Sequence, residues 1–231
     1  MQIIYVSYLE PDYSRSAVHF EYLQRHKDRD TKIDFFRFPP GIFSKFKPLL
    51  KLFLEHRREK PVFLVMSPAT SLVIYLRILG FRRIIFDGGW PLSDAAQIRG
   101  SSKVLKLLIW LTDFMAIHLA SYFICESNEQ LDKVQKSFFV NSKKLKTNYT
   151  GFSEFSIEDV TQNPSYATRE FGSRRYIFFR GKNNIEAGLS TIIEAARLLE
   201  DSVDFVIASS GNKLESLSKD RKSTRLNSSH A

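Results

Sequence analysis

Cysteine is almost absent: Cys125 stands alone among 231 residues, so no intramolecular disulfide can form. It ends an apolar run, with nothing nearby in sequence to lower a thiol pKa, and is expected to be buried and inert. The five histidines are scattered without metal-ligand spacing, so no metal site is expected. No apolar run reaches bilayer length, because the most apolar stretch is interrupted by Lys103, Lys106 and Asp113. A basic leader is missing as well: Met1-Gln2 runs straight into the strand-like IIYVSY, so no signal peptide is expected and the chain reads as cytoplasmic. Motifs of known nucleic-acid modules do not occur, which argues against a nucleic-acid partner.

Acidic residues are outnumbered, 25 against 34 lysines and arginines, for a formal charge of +9. Part of the excess lies in DRKSTRLNSSH, Asp220 to His230, which reads as an in-frame translation of a sequencing adapter. Residues 220–231 are therefore expected to be an artefact of gene assembly, set aside as a tag would be. Without Asp220, Arg221, Lys222 and Arg225 the remainder holds 31 basic and 24 acidic residues, a charge of +7. With 43% hydrophobic and 26% charged residues, the composition is ordinary for a globular chain of one large or two small domains.

Strand-like and helix-like segments alternate along the chain. Strands are predicted at Ile3–Tyr8, Thr31–Phe38, Val62–Met66, Ile84–Phe86, Tyr122–Cys125 and Leu145–Tyr149. Between them, Val18 and Tyr22 mark a short helix capped by Ser16. Leu49, Leu50, Phe53 and Leu54 mark a second helix, and Leu72, Val73, Leu76 and Leu79 a third, stopped by Gly80. The longest helix starts at Ser101 or Ser102. Its stripe Val104, Leu107, Leu108, Leu111, Met115 and His118 and its apolar opposite side predict a helix covered nearly all round, with His118 a core histidine. Leu131, Val134 and Phe138 mark another helix.

After residue 154 periodicity is lost until Tyr176–Phe179, a run of β-formers followed by the polar turn Arg180-Gly181-Lys182. A helical repeat from Leu189 to Leu199 and a second apolar run, Asp204–Ala208, complete a βαβ unit. Gly181 and Gly188 loosen the turn, and two cations stand near a helix start that offers free N–H groups. A phosphate or diphosphate is expected there. The alternation predicts an α/β fold with parallel sheets and ligands at the carboxyl ends of the strands. The domains predicted are 1–154 (Rossmann-like), 155–175 (linker) and 176–219 (the beginning of a second Rossmann-like domain), before the adapter-like 220–231.

The segments FDGGWPLSDA, ASYFICESNEQLDKV, LKTNYTGFSE and YIFFRGKNNIEAGLSTIIEAARLLED resemble, in order and spacing, the landmarks of the family 4 (group 1) glycosyltransferases of GT-B fold. The resemblance runs from Ile3 to about Leu217. It implies sugar transfer from a nucleotide-diphosphate-sugar to an acceptor, usually with retention and without a metal or cofactor, the first domain holding the acceptor and the second the donor. Arg180, Gly181, Lys182 and Gly188 match the donor diphosphate site, although Ala187 stands where the family carries lysine. The family's acidic donor motif lies beyond these residues, so a chain truncated within its second domain is expected, and the fragment itself is expected to be inactive.

Asp87 occupies the place of the family's histidine near the reacting sugar. It would hydrogen-bond a sugar hydroxyl or stabilise positive charge at the anomeric carbon, or else cap the following loop. Gly88 and Gly89 would admit a ligand close to the backbone or simply make a turn. Glu126 and Ser127 follow a strand on the acceptor or sugar side, Ser127 also suiting a helix N-cap. Tyr13, Ser14 and Arg15 stand where the family has a glycine pair, with Ser14 and Arg15 the acceptor-side residues there.

Lys45, Lys47, Lys51, Arg57, Arg58 and Lys60 flank Phe43, Phe46, Leu49 and Phe53. They suit either a solvated helix or docking on the anionic inner face of a plasma membrane, where a lipid-linked or saccharide acceptor of surface polysaccharide synthesis would be met. A nucleotide-sugar epimerase of the same fold and a non-enzymatic nucleotide-sugar or membrane-surface binding protein are the alternatives.

Overall fold

The computed structural model of the chain describes residues 1–9, 14–39, 41, 43–149, 176–182, 188–199, 203–210 and 225–227. Contacts divide the chain into two units, Met1–Ser153 and Glu154–Ala231. The expected linker and Ala187 lie outside the described residues, as do Glu10 to Tyr13.

The first unit is a six-stranded parallel sheet with intervening helices. In chain order its elements are β1 (Gln2–Ser7), α1 (Ser14–His26), β2 (Lys32–Arg37), α2 (Phe46–His56), β3 (Val62–Met66), α3 (Thr70–Ile78), β4 (Ile84–Asp87), α4 (Leu92–Ile98), α5 (Lys103–Leu119), β5 (Tyr122–Cys125), α6 (Asn128–Phe138) and β6 (Leu145–Thr147). The strands lie side by side in the order β2-β1-β3-β4-β5-β6, every pairing parallel. The chain therefore runs outward from β1 to β2, then crosses back to β3, so the strand order reverses between β1 and β3. Buried aliphatic and aromatic residues of the central strands, among them Ile4, Val6, Phe63, Val65, Ile84, Phe86 and Phe123, form one core with Leu52, Leu72, Val73 and Leu76 of the helices and with Cys125. Such strands are buried on both faces, which is why they read as unbroken apolar runs.

Two helices differ from expectation. α1 begins at Ser14, two residues before the predicted cap Ser16. α5 is not covered all round: Val104 is 70% exposed and Leu107 and Leu108 56% each, while Leu111, Met115 and His118 also face outward. The buried positions are Asp113, Ala116 and Ile117, and α3 and α4 pack against this helix. His118 is thus no core residue; its Nε2 lies 2.9 Å from the carbonyl of Phe138. Asp113 points inward because its carboxylate accepts the backbone N–H of Ser93 at 2.8 Å, in the first turn of α4. α4 was not expected from the sequence; its N-cap, Pro91, supplies no side-chain bond, and Asp113 does so from twenty residues away. Burial raises the Asp113 pKa, against the hydrogen bonds from Ser93 and Leu92 that lower it.

The second unit contains β7 (Tyr176–Lys182), α7 (Leu189–Leu198), β8 (Asp204–Ser210) and β9 (Arg225–Asn227), the strands parallel in the order β7-β8-β9. Arg180, Gly181 and Lys182 are not a turn: they continue β7, paired with Ala208, Ser209 and Ser210 of β8. The polar pair reads as a turn in sequence, yet a strand tolerates it where its neighbour runs on alongside. Residues 225–227, within the adapter-like segment, form the strand beside β8.

Candidate functional site

The carboxyl edge of the first sheet brings together side chains from three separate segments. Asp87 is the last residue of β4 and is 1% exposed, and its carbonyl accepts the N–H of Ser67 at 2.9 Å. His19, in the second turn of α1, places Nδ1 3.0 Å from Asp87 Oδ2; its side chain is 13% exposed. On the other side of the ring, Asn148 Nδ2 lies 3.0 Å from His19 Nε2, just beyond β6. Nδ1 faces the carboxylate at ion-pair distance, and Nε2 faces the Asn148 amide, which can donate to it. Asp87 thus stands behind His19, and the imidazole is the group nearer the surface. A buried carboxylate at this distance orients the imidazole electrostatically and leaves Nε2 as the ring nitrogen turned away from it.

The next residues are shaped by packing. A Cβ on Gly88 would come within 2.1 Å of Phe123 Cε2 and 2.3 Å of its Cζ, so the packing of that ring requires glycine. Gly89 has φ +52°, donates to the carbonyl of Ile124 at 3.2 Å, and would bring a Cβ within 3.0 Å of Glu126 Oε1. The close approaches at both glycines are thus made by protein side chains. Glu126 lies beside this loop, its backbone N–H donating to Gln130 Oε1 at 2.7 Å. Ser127 is the N-cap of α6, accepting from Gln130 N at 3.2 Å. Trp90 is exposed at the same edge, with Lys133 Nζ 5.9 Å from the ring centre. Ser14 and Arg15 lie in the first turn of α1, where the backbone alone is described.

The basic helix divides differently from its sequence pattern. Leu49 and Leu52 of α2 are buried and Phe53 packs against Phe81, so the outward apolar residues are Phe46, Leu50 and Leu54, with Lys47 and Lys51 alongside. Lys45 is not on the surface: it is 7% exposed, at the carboxyl edge, with Nζ 3.4 Å from Ser71 Oγ and 4.4 Å from the centre of the Tyr8 ring. At the opposite, amino edge a shallow cavity of about 360 Å³ is lined by exposed Arg57, Lys60, Arg82 and Arg83 over Phe53 and Phe81. No helix among the described residues is long and apolar enough to cross a membrane.

In the second unit Arg180, Gly181 and Lys182 end β7, and Gly188, at φ +68°, is the N-cap of α7. They occupy the carboxyl end of a strand and the start of the helix that follows it.

His19, Asn148 and Ser71 were not singled out in the sequence, and Tyr8 only as the end of the first strand, where a ligand-side loop begins. Their only signal is position: each lies in a helix start or loop after a parallel strand, where the fold gathers side chains.

No family model matches the sequence, and no curated protein matches it. Solved structures do. Anabaena HepE in complex with UDP-glucose superposes with a TM-score of 0.64 at 13% identity, covering 100% of this chain and 70% of that one. In complex with UDP, HepE gives 0.59 at 13% identity, and there this chain spans 64% of that protein's length. The lipopolysaccharide outer core galactosyltransferase WaaB, in its apo form, gives 0.62 at 11% identity, over 95% of this chain and 64% of that one. The UDP-GlcNAc 2-epimerase of Neisseria meningitidis bound to UDP-GlcNAc gives 0.56 at 13% identity, over 100% and 73%. The fold of this chain is therefore α/β with Rossmann-like parallel sheets, the architecture of the GT-B proteins.

Proposed function

We propose that the chain belongs to an enzyme of family 4 glycosyltransferase type, which moves a sugar from a nucleotide-diphosphate-sugar to an acceptor with retention. The carrying observation is the Asp87–His19–Asn148 arrangement at the carboxyl edge of a sheet whose fold is shared with UDP-bound and UDP-sugar-bound proteins. His19 faces the sugar. Its Nε2 exchanges Asn148 for a sugar hydroxyl, and the Asp87 charge behind the ring favours positive charge as the glycosidic bond breaks. Asp87 is then a positioning residue rather than the contacting one, and Trp90 offers an apolar face for a saccharide. Arg180 and Lys182, with the N–H groups starting α7 at Gly188, hold the diphosphate. The outward Phe46–Leu50–Leu54 stripe and its lysines dock the enzyme on an anionic membrane that carries a lipid-linked acceptor, in surface polysaccharide or glycolipid synthesis.

Isothermal titration of the 231-residue chain with UDP tests the donor half. Saturable binding is expected, weakened roughly tenfold by Arg180→Ala or Lys182→Ala, as loss of one charge-assisted bond implies. No binding at millimolar UDP would sink the reading. A second reading, epimerisation, is favoured by the epimerase match and by Glu126 beside the Asp87 loop. With the full-length enzyme, UDP-GlcNAc incubated without acceptor separates the two: an isomer marks epimerisation, whereas transfer releases UDP only when an acceptor is added. In the full-length enzyme His19→Ala is expected to lower kcat roughly 10²-fold in either reaction.

A further inference from the structure

Among the described residues Lys45 meets no carboxylate within 4 Å of its Nζ, and it lies at the carboxyl edge of the sheet, 7% exposed. Its neighbours are neutral: the Ser71 hydroxyl at 3.4 Å and the face of the Tyr8 ring. Tyr8 and Ser71 are themselves joined, oxygen to oxygen, at 2.8 Å. A buried ammonium loses most of its hydration, and a lone hydroxyl and an aromatic ring return only part of it. The missing part is what an oxyanion supplies.

The surroundings agree. Tyr8 follows β1, and Ser71 lies in the first turn of α3, directly after β3. β1 and β3 are the neighbours between which the strand order reverses, the crevice where open parallel sheets take their ligands. The N-terminus of the nine-residue α3 opens into the same crevice, and first-turn N–H groups with the positive end of the helix dipole favour negative charge.

We propose that Lys45, Ser71 and the first turn of α3 bind a carboxylate or phosphate group of the molecule that enters the first unit. That this molecule is the sugar acceptor rests on the transferase reading; the anion site does not.

Thermal melting of the 231-residue chain with three probes tests it: inorganic phosphate, glucuronate and neutral glucose. At ten times the dissociation constant phosphate or glucuronate is expected to raise Tm by roughly 3–6 °C, and glucose to leave it unchanged. The better of the two anions distinguishes a phosphorylated from a carboxylated ligand. In Lys45→Met affinity for that anion is expected to fall at least about tenfold, while the anion-free protein melts higher than the parent because an uncompensated charge is gone. Ser71→Ala provides a second arm should Lys45→Met not fold, with a loss of several-fold in anion affinity and no gain in Tm. Anion affinity unchanged in both variants would overturn the proposal, as would no shift of the parent at tens of millimolar phosphate and glucuronate. UDP binding measured in parallel separates the two ideas. Retained UDP affinity in Lys45→Met with lost anion affinity supports both, and anion binding in a chain that never binds UDP leaves this site standing while the transferase reading falls.

Discussion

The two edges of the first sheet hold positive charge in opposite ways. At the amino edge Arg57, Lys60, Arg82 and Arg83 crowd one shallow cavity, but each reaches water. At the carboxyl edge one buried lysine, one buried aspartate and a mostly buried histidine are held by a few short contacts. Charge number therefore says little about where chemistry is done. Four solvated cations cost the fold almost nothing and constrain little beyond the bond from Arg83 Nη1 to the Lys60 carbonyl at 3.3 Å, whereas the buried groups at the carboxyl edge have their partners dictated by burial.

That contrast can be broken in order of expected effect. Asp87→Ala removes the buried carboxylate that His19 faces and should cost about 2–3 kcal/mol of unfolding free energy in urea titrations; a cost below roughly 0.5 kcal/mol would place Asp87 with the solvated charges instead. Gly88→Ala forces a methyl against the Phe123 ring and should cost about 1–3 kcal/mol. At the amino edge Gly80→Ala, with φ +91° but open space around it, should cost only its backbone strain of about 1–2 kcal/mol.

The fourth test is a pH profile. Because burial raises the Asp113 pKa, the folded chain holds a proton that the unfolded chain has released above the ordinary carboxyl value. That contribution is complete below the unfolded carboxyl pKa and is lost as pH rises through the folded one. Urea titrations across the acid range should show a difference in stability between the parent and Asp113→Asn, which keeps an acceptor for Ser93, that shifts against the parent as pH rises. Equal slopes would remove Asp113 from the account. Smallest of all, Arg82→Ala should change stability by less than about 0.5 kcal/mol, with any gain at low salt erased at physiological ionic strength.

Much of the fold was legible in the sequence, and the reasons it was not everywhere are local. β3 and β5 match their predicted bounds because each is a short apolar run with clear ends. The faces of α5 were misassigned because leucines occur on both sides, so periodicity offered two stripes and the hidden one contains Asp113. β7 runs on through Arg180–Lys182 because pairing to β8 outweighs their polar character. In the candidate site Asp87 was visible as a strand-end acid, but His19 was not: its partner is 68 positions away in sequence, and no pattern along one helix encodes it. Lys45 read as one more surface cation because composition counts charges without showing which are covered.

The bond from Asp113 to the Ser93 N–H also bears on how this chain can be recombined. The start of α4 is specified by a residue in α5, so the two helices are inherited as one block. A chimera joined between them, or a loop after β4 grafted without α5, would carry a helix whose first turn has lost its cap. The natural crossover points for exchanging this edge of the molecule therefore fall before Trp90 and after Leu119.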